Sequence, residues 1–444
     1  MFSGEDLFRL LWPLLTEQLL AVFVGMADTL MVSTVGEAAV SGVSLVDSIT
    51  IFIIQSLFGL TAGGSVVCAR YIGKKDMKRA SRSGGQMLLI TVGASLLVTL
   101  ILLFGGRLIL RGIFGKVEEA VMTSAATYLF ITCLSFPFLA VYNSCAAIFR
   151  ANKITKLSLY VSLFMNVLNL TGNAICIFGL KMGVEGVAIP TLISRTVAAV
   201  IMLYFLQKPD NELRIPDIRH LHPDTDMIGR ICAIGIPSSV EGSIFQFGKL
   251  MLQSLVSTLG TASIAAYAVA SNLVMFLYLP GNSLGAGLLT IVGQCIGAGE
   301  KKQARNYTKQ LMILNYMMLA VIGSILFFGR DMIVGWYHLE ATSSALAKEM
   351  VMIHVIAMVI WPLSFLIPYY FRASGKAAFT MKISIFSMWV FRVALAYVFV
   401  LVLHMNVVSI WYAMFCDWIF RSCIFVYYFF IKREEEQPAQ VSSQ

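Results

Sequence analysis

The sequence predicts an all-α membrane protein with twelve transmembrane helices in two pseudo-symmetric six-helix lobes. Three observations carry this. Of 444 residues, 58% are hydrophobic and 13% are charged, roughly half the charge of an ordinary soluble domain. Apolar runs long enough to cross a bilayer, roughly 20 residues, recur with short polar breaks between them. The early part of the chain also aligns with the later part at a constant offset of 224 residues.

The spans read 10–35, 43–68, 84–105, 121–149, 157–180, 184–207, 229–258, 262–296, 307–328, 343–371, 378–402 and 405–431. Backbone polar groups in hydrocarbon must be bonded within the chain, so these runs are expected as helices. The N-terminal stretch MFSGEDLFRLLWPLL lacks a basic leader, and its apolar run is too long for a signal peptide. It reads as a retained first span. The break KPDNELRIPDIRHLHPDTDM, 208–227, holds three prolines at mid-chain and reads as a linker. The expected organisation is therefore an N-lobe over 1–207, a linker over 208–228, a C-lobe over 229–431 and a tail over 432–444. The tail is too polar to pack and is expected to be disordered.

Charge sets the orientation. With the N-terminus inside, the inner segments hold 23 Lys and Arg and the outer loops hold 6. This asymmetry predicts both termini in the cytoplasm of a cell whose cytoplasmic membrane carries the protein. It also accounts for the net charge of +9, which needs no nucleic-acid partner. The eight cysteines are scattered without metal-ligand spacing and read as small hydrophobes. No Walker A or HExxH motif is present, so no enzymatic chemistry is expected. Nothing in the sequence demands more than a monomer.

The repeat is gapless over residues 13–86, with 17 identities at the fixed offset. WPLLTEQ (12–18) faces IPSSVEG (236–242), and VSTVGEA (32–38) faces VSTLGTA (256–262). Six spans separate the paired segments, so both copies enter from the same side. Such parallel repeats are related by an axis along the membrane normal and place a path between two bundles. Seven prolines fall within spans: Pro13, Pro137, Pro190, Pro237, Pro280, Pro362 and Pro368. Each removes a backbone bond and favours a bend. The stretch YLPGNSLGAG (278–287) is the strongest such signal.

Two acids lie within the first span, in EQLLAVFVGMADTLMVSTVG (17–36). An ionised carboxylate there costs roughly 2.5–3.5 kcal/mol on insertion scales. Glu17 and Asp28 are 11 residues apart, about 20° from one helical face, so one stripe carries both toward a bundle interior. Glu17 has Glu241 as its repeat partner, whereas Asp28 faces Leu252. A duplicated acid serves architecture or a shared cavity; an unduplicated one fits a task done once. In the fifth span Asn166, Asn169 and Asn173 share a face. Amide oxygens with a carboxylate make a hard-oxygen site for a small cation, or they serve interhelical hydrogen bonding. Lys249 lies eight residues beyond Glu241, off its face, and is open to snorkelling, pairing or proton loss. Arg195, Arg392, Arg421, Asp47 and Asp417 lie nearer span ends, where structural pairing is expected.

The segments EQLLAVFVGMADTLMVSTVGEAAVSGVSLVD, ARYIGKKDMKRA, NLTGNAICIFG with GVEGVAIPTLISR, and IPSSVEGSIFQFGKLMLQSLVSTLGTASIAAYAVA resemble the MATE (multidrug and toxic compound extrusion) family of the MOP superfamily. The resemblance covers about residues 7–431. It implies an antiporter that exports organic cations, drugs and toxic compounds by alternating access, exchanging them for Na⁺ or H⁺. Its substrates would be small, cationic and amphipathic. It also implies a cation site at Asp28, Asn169, position 173 and Thr191. The family has an aspartate where this chain has Asn173, so the site is one carboxylate poorer. Glu17, Glu241 and Lys249 remain candidates for substrate binding or coupling. Beyond the coupling ion no cofactor is implied. The alternative within the superfamily is a flippase for lipid-linked precursors. Such proteins line their cavity with basic residues, which are few within these spans.

Overall fold

The computed structural model describes residues 2–115, 117–215 and 222–432. The expected disordered tail from residue 433 and residues 216–221 of the linker lie outside the described residues. Every predicted span is helical, and no strand occurs among the described residues. In chain order the spans are α1 (Gly4–Ser33), α2 (Glu37–Gly73), α3 (Met77–Phe114), α4 (Glu119–Cys133 with Phe136–Ala151), α5 (Thr155–Gly179), α6 (Glu185–Gln207), α7 (Thr225–Ser257), α8 (Thr261–Gly297), α9 (Lys301–Gly335), α10 (Ala341–Ala357 with Trp361–Ala373), α11 (Ala377–Val402) and α12 (Val408–Ile431).

Several helices overrun the predicted apolar runs because polar residues cap them in water. Ser3 and Asp6 form a reciprocal capping box that starts α1, and Asp76 accepts from the Arg79 amide at the start of α3. Each cap satisfies an amide that the first helical turn leaves without a partner. Nine helices among the described residues are long and apolar enough to cross a bilayer, or eleven when each bent pair counts as one crossing. Helix α7 is long enough but more polar, with Ser238, Ser239, Glu241, Ser243 and Gln246 in its middle.

Packing divides the chain into two compact units. The first holds Met1–Gln246, Ala286–Tyr307 and Arg372–Ala378; the second holds Phe247–Gly285, Thr308–Phe371 and Phe379–Gln444. In the first unit, α3 shows how its residues serve a bilayer. Leu97, Leu100, Ile101, Phe104 and Leu108 are exposed along one side, while Ser95, Thr99 and Gly106 are buried on the other. Thr91 pairs with the Ser144 hydroxyl at 2.7 Å, and Thr99 donates to the Cys133 carbonyl at 3.0 Å. Small residues allow close approach, and hydroxyls bond across the helices. The second unit buries His354 among Tyr278, Trp411, Phe415 and Trp418, with the Tyr278 hydroxyl 2.9 Å from its Nε2.

The duplication is visible in the backbone. Helix α4 bends by 46° and α10 by 66°. Both resume with proline in their new first turn, Pro137 and Pro362. Proline tolerates a first turn, where its missing amide costs nothing. The strongest sequence signal for a bend, around Pro280, corresponds instead to an unbroken α8. Left-handed turn residues pair across the repeat as well: Gly36 with Gly260, and Lys75 (φ 60°) with Gly299 (φ 81°).

Reciprocal contacts occur where α2 and α8 reach the lysine- and arginine-rich ends of the helices, the basic end. A methyl built on Gly73 would run into the carbonyl oxygen of Gln294, and one built on Gly297 into that of Arg70. Each pair is the other's image at an offset of 224. Ala69 and Gly293 are themselves repeat mates, and a methyl on Gly293 would stand 2.9 Å from the Ala69 Cβ. The pseudo-twofold axis therefore passes between these two residues. Side chains extend the pattern. Arg70 donates through Nη2 at 2.7 Å to the carbonyl of Ala373, the last residue of α10. Gln294, the repeat mate of Arg70, donates at 2.6 Å to the carbonyl of Ala151, the last residue of α4.

Candidate functional site

Three helices of the first unit bring four predicted residues together. Helix α1 supplies Asp28, α5 supplies Asn169 and Asn173 one turn apart, and α6 supplies Thr191. Asn173 donates through Nδ2 to Asp28 Oδ1 at 2.8 Å, and its Nδ2 lies 3.4 Å from Asn169 Oδ1. Asn169 donates to Thr191 Oγ1 at 3.0 Å, and Thr191 donates to the Val187 carbonyl at 2.8 Å. Asn173 is fully buried, yet its Oδ1 has no hydrogen-bond partner among the described residues. Leaving such an acceptor unsatisfied costs about 1–3 kcal/mol, so this corner of the network holds an unused acceptor beside Asp28.

The network opens on a cavity of about 260 Å³, lined by Asp28, Asn166, Asn169 and Thr191 among others. A carboxylate, amide oxygens and a hydroxyl give this part of the cavity hard-oxygen ligands, the kind that suit small hard cations.

The cavity also contains two residues for which the sequence predicts structural pairing near span ends. Asp47 of α2 and Arg195 of α6 both line it. The expectation of structural pairing is borne out for Asp417, Arg392 and Arg421 instead. Arg421 Nε donates to Asp417 Oδ1 at 2.7 Å, Arg392 Nη1 lies 3.7 Å from Asp417 Oδ2, and Ser387 bonds the same carboxylate. For Asp47 and Arg195 it fails because the cavity reaches between α2 and α6 and keeps their heads accessible. Two signals in the sequence locate them. Arg195 follows Thr191 by one helical turn, hence on the same face. Asp47 lies on the helix that returns from the turn just after Asp28.

The other candidates lie elsewhere. Glu17 accepts from the Tyr142 hydroxyl at 3.2 Å. Glu241 pairs with Arg372 at 2.8 Å and is nearly buried. Lys249 belongs to the second unit. None of the three lines the Asp28 cavity.

The MatE family model matches this chain twice, over residues 13–175 and 237–398. The chain belongs to the MatE family. The two matches begin 224 residues apart, the offset of the repeat, so each half of this MatE chain carries the family pattern. As a MatE protein it is a multi-pass membrane transporter. It is similar to the uncharacterized transporter YisQ of Bacillus subtilis (strain 168), with 26% identity covering 93% of this chain and 91% of YisQ. It is also similar to the probable multidrug resistance protein NorM of Thermotoga maritima, with 24% identity covering 98% of this chain and 93% of that protein. A solved structure of MATE in the bent conformation superposes with a TM-score of 0.88 at 19% identity, covering 96% of this chain and 94% of the other. The outward-facing conformation of a multidrug resistance MATE family transporter of the MOP superfamily superposes with a TM-score of 0.87 at 20% identity, covering 94% and 93%. At these identities the structures share the fold.

Proposed function

We propose that this MatE protein is an antiporter that exports organic cations, drugs and toxic compounds, driven by Na⁺ or H⁺, with Asp28 as the coupling group. The observation that carries this reading is the membrane-embedded Asp28 carboxylate, held by Asn173 at the edge of a cavity. The hydrogen bond donated by Asn173 suits an ionised Asp28. A proton would neutralise that carboxylate directly. Sodium would take Asp28 with oxygens of Asn169, Asn173 and Thr191, and the unpartnered Asn173 Oδ1 is available to it. Either ion removes the charge that a cationic substrate needs, so ion and substrate exclude one another. The relatives named for multidrug resistance support a drug-like substrate.

Exchange also requires the protein to open to one side at a time. The reciprocal glycine contacts at the basic end, which the charge asymmetry assigns to the cytoplasm, support a form sealed on that side. Loading Asp28 would alter α1, which lies against α5, and bias this seal.

The test is export of a fluorescent organic cation from reconstituted vesicles under separate Na⁺ and H⁺ gradients. Asp28→Asn keeps the side-chain shape and removes the ionisable charge. The expected result is loss of uphill export with normal chromatographic behaviour. Wild-type uphill export by this variant would sink the assignment.

A further inference from the structure

Asp47 and Arg195 are two opposite charges in one cavity, and neither is committed. Asp47 is exposed to the cavity, and its carboxylate has no hydrogen bond or ion pair among the described residues. Arg195 donates one hydrogen bond, from Nη1 to Ser135 Oγ at 2.7 Å. A guanidinium carries five donors, and no carboxylate lies within ion-pairing distance of this one among the described residues. Ser135 sits at the bend of α4 and donates onward to the Thr132 carbonyl at 2.6 Å, so the guanidinium is anchored at one corner and free at the others.

We propose that Asp47 and Arg195 are the substrate-selecting pair of this cavity, which takes small amphipathic molecules carrying an anionic group as well as a cationic centre. This rests on the reading of Asp28 as the coupling group. Holding a charge inside a membrane is costly, and such charges are found paired or at substrate sites. Here neither has an opposite charge within ion-pairing distance among the described residues; they stand on different helices and line the same cavity. Asp47 offers its oxygens to an ammonium. Arg195 offers a planar fork that matches a carboxylate or phosphate in two-point fashion. A simple cation uses only the carboxylates and leaves Arg195 as a repulsive neighbour. A molecule with both signs uses both helices and removes that repulsion. Val24, Val40, Val43, Met165 and Tyr128 line the same cavity and supply apolar surface.

A matched dye pair tests this. Rhodamine 123 is a methyl ester with one positive charge; rhodamine 110 is the same ring system with the carboxylate free. Equilibrium affinities are measured by fluorescence anisotropy on the purified full-length protein, so the readout is independent of ion coupling. Wild type is expected to bind both, with rhodamine 110 preferred. Arg195→Gln should lower the ratio of rhodamine 110 to rhodamine 123 affinity at least tenfold, and Arg195→Lys should restore part of it. Asp47→Asn should weaken both dyes together. An Arg195→Gln ratio equal to that of wild type overturns the pair, because a structural role would move both dyes alike. Failure of wild type to bind rhodamine 110 also overturns it. Failure of the Asp28 reading appears separately, as continued uphill export by Asp28→Asn in vesicles.

Discussion

Glu17 and Asp28 sit on one helix and share a residue class, yet their neighbours give them different work. Asp28 faces a cavity and holds one amide. Glu17 is held by Tyr142 of α4, and its repeat mate Glu241 by Arg372 at the end of α10. In each half, then, the duplicated acid ties the first helix to the bent span. We read this pair as architectural and predict that it shows in stability. Glu241→Gln leaves Arg372 beside a neutral amide in a site where little water reaches. Breaking a buried pair on one side costs about 3–5 kcal/mol; with Arg372 partly accessible, about 3 kcal/mol is expected. Glu17→Gln keeps an acceptor for Tyr142 and should cost about 1 kcal/mol. Thermal unfolding in detergent checks both, with Asp28→Asn close to wild type. A Glu241→Gln protein as stable as wild type would show that Glu241 has another task. The offset of 224 already separates the duplicated acid from the unduplicated one. The sequence cannot show their partners, because Tyr142 and Arg372 do not occupy matching repeat positions. Asp47 and Arg195 are only half legible: Arg195 shares a helical face with Thr191, but closeness to a span end says nothing about whether a cavity reaches the residue.

At the scale of elements, the two bent helices end in carbonyls that a helix cannot satisfy by itself. Arg70 and Gln294 supply donors to those carbonyls from the opposite half of the sequence, at Ala373 and Ala151. Each bent span is thus latched to a helix of the other repeat at the basic end. Removing one latch frees a terminal carbonyl and is expected to weaken the proposed seal. Cys68 and Cys295 are fully buried beside these contacts and serve as native reporters. Arg70→Ala and Gln294→Ala should each raise maleimide labelling of these cysteines several-fold without unfolding the protein. Labelling unchanged from wild type would mean that the seal holds without the latches. Span positions are legible in the sequence because the bilayer imposes length and apolarity. The sites of bending are not. The signal is strongest around Pro280, yet α8 continues unbroken through it, while Pro362 begins a new helical segment after a break.

At the scale of the whole chain, the duplication predicts that substitutions at mated positions behave alike. Gly73 meets the Gln294 backbone and Gly297 meets the Arg70 backbone, one contact made twice about a single axis. Neither contact admits a side chain, because the obstacle is a carbonyl rather than a flexible tip. Gly73→Val and Gly297→Val should therefore each hold α2 and α8 apart at the basic end. Both variants are expected to lose export in vesicles by at least tenfold and to expose Cys68 and Cys295 to maleimide to similar degrees. The proposed cation site predicts the opposite asymmetry, since Asp28 has Leu252 as its mate. Leu252→Asp should not rescue Asp28→Asn, because the amides and hydroxyl that accompany Asp28 belong to α5 and α6. Equal effects at the glycines with unequal effects at 28 and 252 would separate a gate built by both repeats from an ion site built by one. Strongly unequal glycine phenotypes would refute the shared axis as the place where the protein closes.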